Sequence, residues 1–514
     1  MVQASVRPEV TIPKGSTSGY TFWLVTFFLC VTVLLSVAAP NPNTPEPGTT
    51  TERFIASTHA SFMLNEYLRV SPNSKRVAFA VKTNEKTAVI LDGHIGKLYD
   101  SVASGFQFSS NSKTLAYEAQ TVHGPAVVVN GKELALSLID GIPHRDDDTI
   151  DQFLLSPDGK RVAIRGHLGD KSYLVESNAF IITGGQSVIV LDGKAQNVDA
   201  AYWSDTMTFS PNSRRFAYKA GSTNDQFVVV DGKELKHGFG VGNSSLTFSP
   251  DSKRIAYVGG STNQAFVVVD GRESKCYDGI STSSPLQFSP NSRHVAYGAG
   301  LKDKVVVVID GHEGQEYDSV SELQFSPNSK RIVYGANLGN RWYVVADEKP
   351  GPELDNFAEI TLSPDSKRIA YASLRGEKWC VVVDGKVGKL YDGIGKGSLR
   401  FSPNSRHFAY SARHGTNWCV VLDRRELPPH EDISEAAPIF SPDSRHIAYG
   451  ALDGNCWRMV VDGKIGPRHD RILAHEYGGA VIFDSIGSLH YMAMKGESIY
   501  FVRRWFSSAL FDGL

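Results

Sequence analysis

The decapeptide from Phe248 to Tyr257, Phe-Ser-Pro-Asp-Ser-Lys-Arg-Ile-Ala-Tyr, constrains the whole chain, because the chain writes it repeatedly. Near-copies begin at Val70, Phe108, Leu155, Phe209, Phe288, Phe325, Leu362, Phe401 and Phe440. Most lie ~37–40 residues apart, the period of stacked β units. Each copy is followed by an apolar run and a tight-turn dipeptide, as in Phe266-Val267-Val268-Val269 and then Asp270-Gly271. Such a repeat defines an architecture. It carries no visible reaction.

One unit, read from Leu286, holds four strands. Leu286 to Ser289 is the first. Pro290-Asn291-Ser292 is a turn, since Pro presets φ while Asn and Ser bond their own backbone. Arg293 to Tyr297 returns as the second strand, polar and apolar by turns. A loop marked by Gly298 and Gly300 leads to Val305-Val306-Val307-Val308-Ile309, too rich in β-branched residues for a helix and apolar on both faces, so both faces need a cover. Asp310-Gly311 is a strong hairpin signal, because both central residues need φ > 0. The chain then returns through Glu313 to Tyr317-Asp318 as the fourth strand.

Two hairpins per unit, with strands covered on both faces, describe one blade of a β-propeller. Burial of each valine contributes roughly 1.5–3 kcal/mol, which offsets backbone ordering only when blades stack. A β-helix has a shorter repeat and does not need two hairpins. At these residues the chain resembles the TolB-type, WD-like propeller repeat family; Ser156-Pro157-Asp158-Gly159-Lys160-Arg161-Val162-Ala163 follows that family's Ser-Pro-Asp-Gly-Lys-Arg unit closely. The chain departs from true WD repeats in having no Trp-Asp dipeptide, and its third strands favour Val-Val-Asp-Gly-Lys. The resemblance implies an all-β fold and a binding habit, not an activity.

Residues 1–19 are a polar tail. Residues 20–39 contain one uncharged apolar stretch, Thr21 to Ala39, which reads as an uncleaved transmembrane anchor, with a signal peptide cleaved after Ser36-Val37-Ala38 as the alternative. Residues 40–51 form a Pro- and Thr-rich linker. Five blades are expected over 52–280 and five more over 281–514, plus a closing blade. Val481 to Asp484, Leu489 to Met492 and Ile499 to Val502 match three strands with no fourth, while Arg53 to Ser57 looks like a fourth strand with nothing before it. Pairing them removes two exposed edges. Eleven units exceed the usual four to eight blades, so two rings of about five and six are expected, with one large ring as the alternative. The third unit carries an insertion over 165–187, where Tyr173-Leu174-Val175 and Phe180-Ile181-Ile182 read as an extra hairpin or a junction between rings.

The net charge of −2 over 514 residues points to no nucleic-acid partner. Cys276, Cys380, Cys419 and Cys456 are scattered and read as small apolar residues rather than disulfides. No Gly-x-Ser-x-Gly elbow exists for an appended hydrolase domain. The acidic cluster of His144, Asp146, Asp147, Asp148 and Asp151 lacks a calcium-loop pattern and reads as solvated loop, so no metal or cofactor is expected.

Strand reversal puts the first–second and third–fourth turns on one rim. The former carry basic pairs such as Lys253-Arg254 and Arg406-His407; the latter carry Asp-Gly-Lys. Asp recurring beside Lys and Arg favours local pairing over a crown that holds an anionic polymer. The opposite rim is built of variable loops, and Trp342, Trp379, Trp418 and Trp457 each stand just after one. Blade packing explains repeated Trp well, yet loops on a rigid scaffold are where binding sits. These four tryptophans are the candidate binding residues. The expected function is a non-enzymatic, extracytoplasmic scaffold that binds protein or glycan and is joined to a membrane by its N-terminal helix. An enzyme at the ring's mouth, of glycan lyase or hydrolase type, is the alternative.

Overall fold

The computed structural model describes residues 46–506 except 58–67, 84, 104, 137–147, 169–171, 177–178, 184–185, 197–206, 223–224, 236–245, 262–263, 435–437, 474–479 and 486. The expected tail, the anchor and residues 40–45 of the linker lie outside the described residues, as do His144, Asp146 and Asp147. Among the described residues no helix is long and apolar enough to cross a membrane.

The described chain is all-β, with eleven blades of four strands. Blade 6 shows the pattern. Gln287–Phe288 pairs with Val295–Leu301, which pairs with Lys304–Ile309, which pairs with His312–Tyr317, all antiparallel. Asp310 and Gly311 take φ of 50° and 84°, as their hairpin requires. One expectation is corrected. Gly298 and Gly300 lie within the second strand rather than in a loop, and the turn falls at Lys302 and Asp303. Space explains Gly298: a Cβ there would meet Ser281 and Ser284 at 2.9 Å. The strand keeps glycine so that the inner segment can cross it closely.

The valine runs are covered on both faces. Val306 and Val308 pack with Ala256, Val267 and Tyr277 from blade 5. Val307, between them, faces Val320 and Tyr334 of blade 7. Each of the eleven cores joins blades that follow one another in the chain. Aromatic pairs recur at these seams: Tyr277 and Tyr297 meet edge-on at 6.1 Å, and Tyr317 and Tyr334 do the same.

Blade 11 is shared by the two ends of the described chain. Thr50–Ser57 pairs antiparallel with Ser498–Trp505, which continues to Ser488–Lys495. Met492 and Ile499 pack with Leu68 and Val77 of blade 1, while Leu489 and Val502 pack with Ala448 and Met459 of blade 10. The division into rings of five and six finds no support in these cores. The insertion is an extra hairpin: Ser172–Glu176 pairs with Ala179–Thr183, and the flanking strands Val162–Leu168 and Gln186–Leu191 pair directly past it.

Candidate binding site

One rim is a chain of interlocked turns. In blade 5, Ser249 Oγ donates to Asp251 Oδ1 at 2.6 Å and accepts from Arg254 N–H, so the turn closes on itself. Asp251 N–H then donates 2.9 Å to Ser292 Oγ, the left-handed residue of the next blade's turn. The same link runs from Asn291 to Ser329, Asn328 to Ser366, Asp365 to Ser405 and Asn404 to Ser444. Blade 3 departs from it. Gly159 replaces the serine because a Cβ there would lie 2.4 Å from Thr114 Oγ1, which donates to the Gly159 carbonyl instead.

The basic pairs of this rim divide their labour. The second member turns inward: Arg254 Nε lies 2.8 Å from Asp270 Oδ2, and its guanidinium sits over the Phe288 ring of the next blade. His407 replaces Arg at the same place and meets Asp423 at 2.6 Å. The first member, as in Lys253 and Arg406, remains exposed. Pairing by the hairpin aspartates therefore takes up the second member of these basic pairs.

The opposite rim is clipped by aspartates between blades. Asp355 Oδ1 accepts from Arg341 of blade 7 at 2.6 Å, while its Oδ2 accepts from Gly376 N–H of blade 8 at 3.0 Å. Asp318 joins Lys304 to Gly339, and Asp392 joins Lys378 to Gly415, in the same way. The Gly376 amide and Arg341 hold the Asp355 carboxyl below the usual range.

On this side a cavity of about 710 Å³ opens across blades 7, 8 and 9. Its apolar wall includes Trp342, Phe357, Ile360, Trp379 and Ile394. Trp342 and Phe357 are in ring contact at 5.1 Å across the seam. Two glutamates stand at β-bulges of the innermost strands: Glu322 at φ 55° and Glu359 at φ 49°. Bulges of this kind re-aim a side chain and favour functional edges. Glu322 is exposed, whereas Glu359 is half-buried and accepts from Leu399 N–H at 3.1 Å. Burial pushes its carboxyl above the usual glutamate range, against the pull of the 397–399 amides. Lys396 completes the lining with an exposed cation.

The structure thus brings two of the four candidate tryptophans, Trp342 and Trp379, into one cavity. Trp418 packs on the core between blades 9 and 10 and lies under the Arg413 guanidinium at 5.8 Å. Trp457 is half-buried in blade 10. Neither lines the cavity. Sequence reading missed the two glutamates, although both stand three residues before the repeat's opening residue, Phe325 or Leu362. Among the described residues no group of three or more His, Cys, Asp or Glu is placed to hold a metal.

The blades, their shared closure and the turn rim define a β-propeller repeat protein. No known protein family and no curated protein matches the chain in sequence, so the TolB-type likeness rests on the repeat residues alone. Similar solved structures include a eukaryotic initiation factor (14% identity, TM-score 0.36, covering 75% of this chain and 97% of that one). The Dos1 propeller matches at 11% identity and TM-score 0.29, covering 58% of this chain and 93% of that one. The Cps50 (Swd1) β-propeller domain of Myceliophteria thermophila matches at 13% identity and TM-score 0.26, over 57% and 99%.

Proposed function

We infer that the chain is a binding scaffold whose eleven blades close into one circuit, and that a protein partner inserts an apolar side chain into the cavity between blades 7 and 9. The unbroken succession of cores supports the single circuit. The cavity itself carries the binding reading: aromatic walls half-exposed on a rigid frame, ringed by Glu322, Glu359 and Lys396, suit an anchored side chain with a polar rim. Residues 20–39 act as an uncleaved anchor in this reading, with the propeller on the extracytoplasmic side. A glycan stacked on the same tryptophans is the variant of it.

The test is capture by the full chain from the organism's own envelope extract. Trp342→Ala and Trp379→Ala are each expected to weaken capture by about 2 kcal/mol, roughly thirtyfold in Kd, while Trp457→Ala leaves it unchanged. Equal capture by all three variants would sink the assignment. A second reading, an enzyme of glycan lyase or hydrolase type, draws on Glu359 alone, whose raised pKa suits a proton donor. Glu359→Gln separates the two readings: it removes turnover in an enzyme, whereas in a scaffold it changes capture only by the small contribution of a rim contact, well short of the effect of either tryptophan.

A further inference from the structure

We propose that the rim of interlocked turns docks face-on to an anionic lipid surface. Each of blades 1–10 places one Lys or Arg at the same turn position, and all ten side chains are exposed. In six blades the turn residue two places earlier is Asn, so Lys75, Lys113, Arg214, Arg293, Lys330 and Arg406 have no acid within their own turn. The other four carry Asp there. A second basic residue or histidine follows every third–fourth turn, as in Lys233, Arg272 and Lys386, all exposed.

Acids stand on both rims. Asp318, Asp355 and Asp392 clip loops on the other one. On this one the hairpin aspartates are taken up by the second basic residue, as Asp270 is by Arg254, and the first, such as Lys253, stays exposed. Because each turn bonds the next, the cationic tips are held in one file along the rim. A cavity of about 570 Å³ opens on this rim, between the turns of blades 6 and 7, but the cations recur at one turn position from blade to blade well beyond it. Such a spread of single charges fits a laterally mobile field of headgroups, and Lys and Arg close to an anionic membrane are attracted to it.

The path of the chain selects the same surface. Gly48 N–H donates 2.8 Å to the Trp505 carbonyl, and Thr50 pairs with Arg504, so the polypeptide enters the propeller from this rim. Only ten residues separate Ala39 from Thr50, a reach of at most about 35 Å. Here the proposal rests on the reading of residues 20–39 as an anchor.

The experiment keeps the two apart. The full chain is reconstituted into vesicles of phosphatidylcholine, with or without phosphatidylserine, and amide exchange is followed in the rim turns around residues 72–76, 291–294 and 404–407. Phosphatidylserine is expected to slow exchange there about tenfold, with loss of the effect at 1 M salt, while turns at 339–341 and 376–378 stay unchanged. The combined variant Lys75→Gln, Arg214→Gln, Arg293→Gln, Lys330→Gln and Arg406→Gln, with an unchanged melting temperature, is expected to lose the protection. Equal exchange in both lipids overturns the docking, and so does protection by polyglutamate without protection by phosphatidylserine. Release of the chain from neutral vesicles at 1 M salt overturns the anchor reading instead, and the rim is then judged by whether phosphatidylserine retains the chain at low salt.

Discussion

Single residues in this fold are chosen by what the neighbouring blade leaves them. Gly335 is the sharpest case: a Cβ there would come within 1.9 Å of the Phe357 ring, one wall of the cavity. Gly335→Ala is therefore expected to destabilise the chain by about 1–3 kcal/mol through overpacking and to loosen the Trp342–Phe357 contact. Thermal melts with tryptophan fluorescence check both, and a neutral variant would show that the ring moves freely. The residue scale is also where the sequence was least legible. Gly298 looked like a loop glycine because the inner segment that crowds it comes from Ser281 and Ser284, more than a dozen positions away. Glu359 was hidden for a similar reason, since a bulge is set by register against Ala372 and Tyr371 rather than by local composition.

Elements were far more legible, because each strand declares itself in short-range signals. The valine runs, the Asp-Gly hairpins and the Ser-Pro turns appear where the residues put them, and the two halves of blade 11 were readable as an incomplete unit seeking its missing strand. The hairpin in blade 3 was visible as two β-rich segments, but its place was not, because nothing in Tyr173 to Ile182 reports that the flanking strands pair past it. That pairing yields a prediction. Removal of residues 171–184 leaves Gly169, Asp170 and Gly185 to join Leu168 to Gln186, which already face each other in the sheet. The shortened chain is expected to keep its β-sheet circular dichroism and its melting temperature. Loss of folding would mean that the hairpin is a working part of the core.

At the scale of the molecule, recurrence turns small effects into large ones. Asp318, Asp355 and Asp392 each bridge two blades, and partners on both sides hold their carboxyls below the usual range. Depressed carboxylates stabilise above their unfolded pKa, near 3.9, and that contribution disappears as pH falls through the lower folded values. Melting temperature is thus expected to drop steeply below about pH 4, and Asp355→Asn is expected to flatten part of the drop. A profile level down to pH 2 would contradict it. The left-handed serines have a further consequence. In blades 4 to 9 each turn offers an oxygen to the blade before it and an amide to the blade after it, so each of these units carries both halves of its own coupling. A copied blade spliced between two others would find a fitting partner on either side, and eleven then reads as the length of a history of duplication rather than a number that bonding chemistry demands.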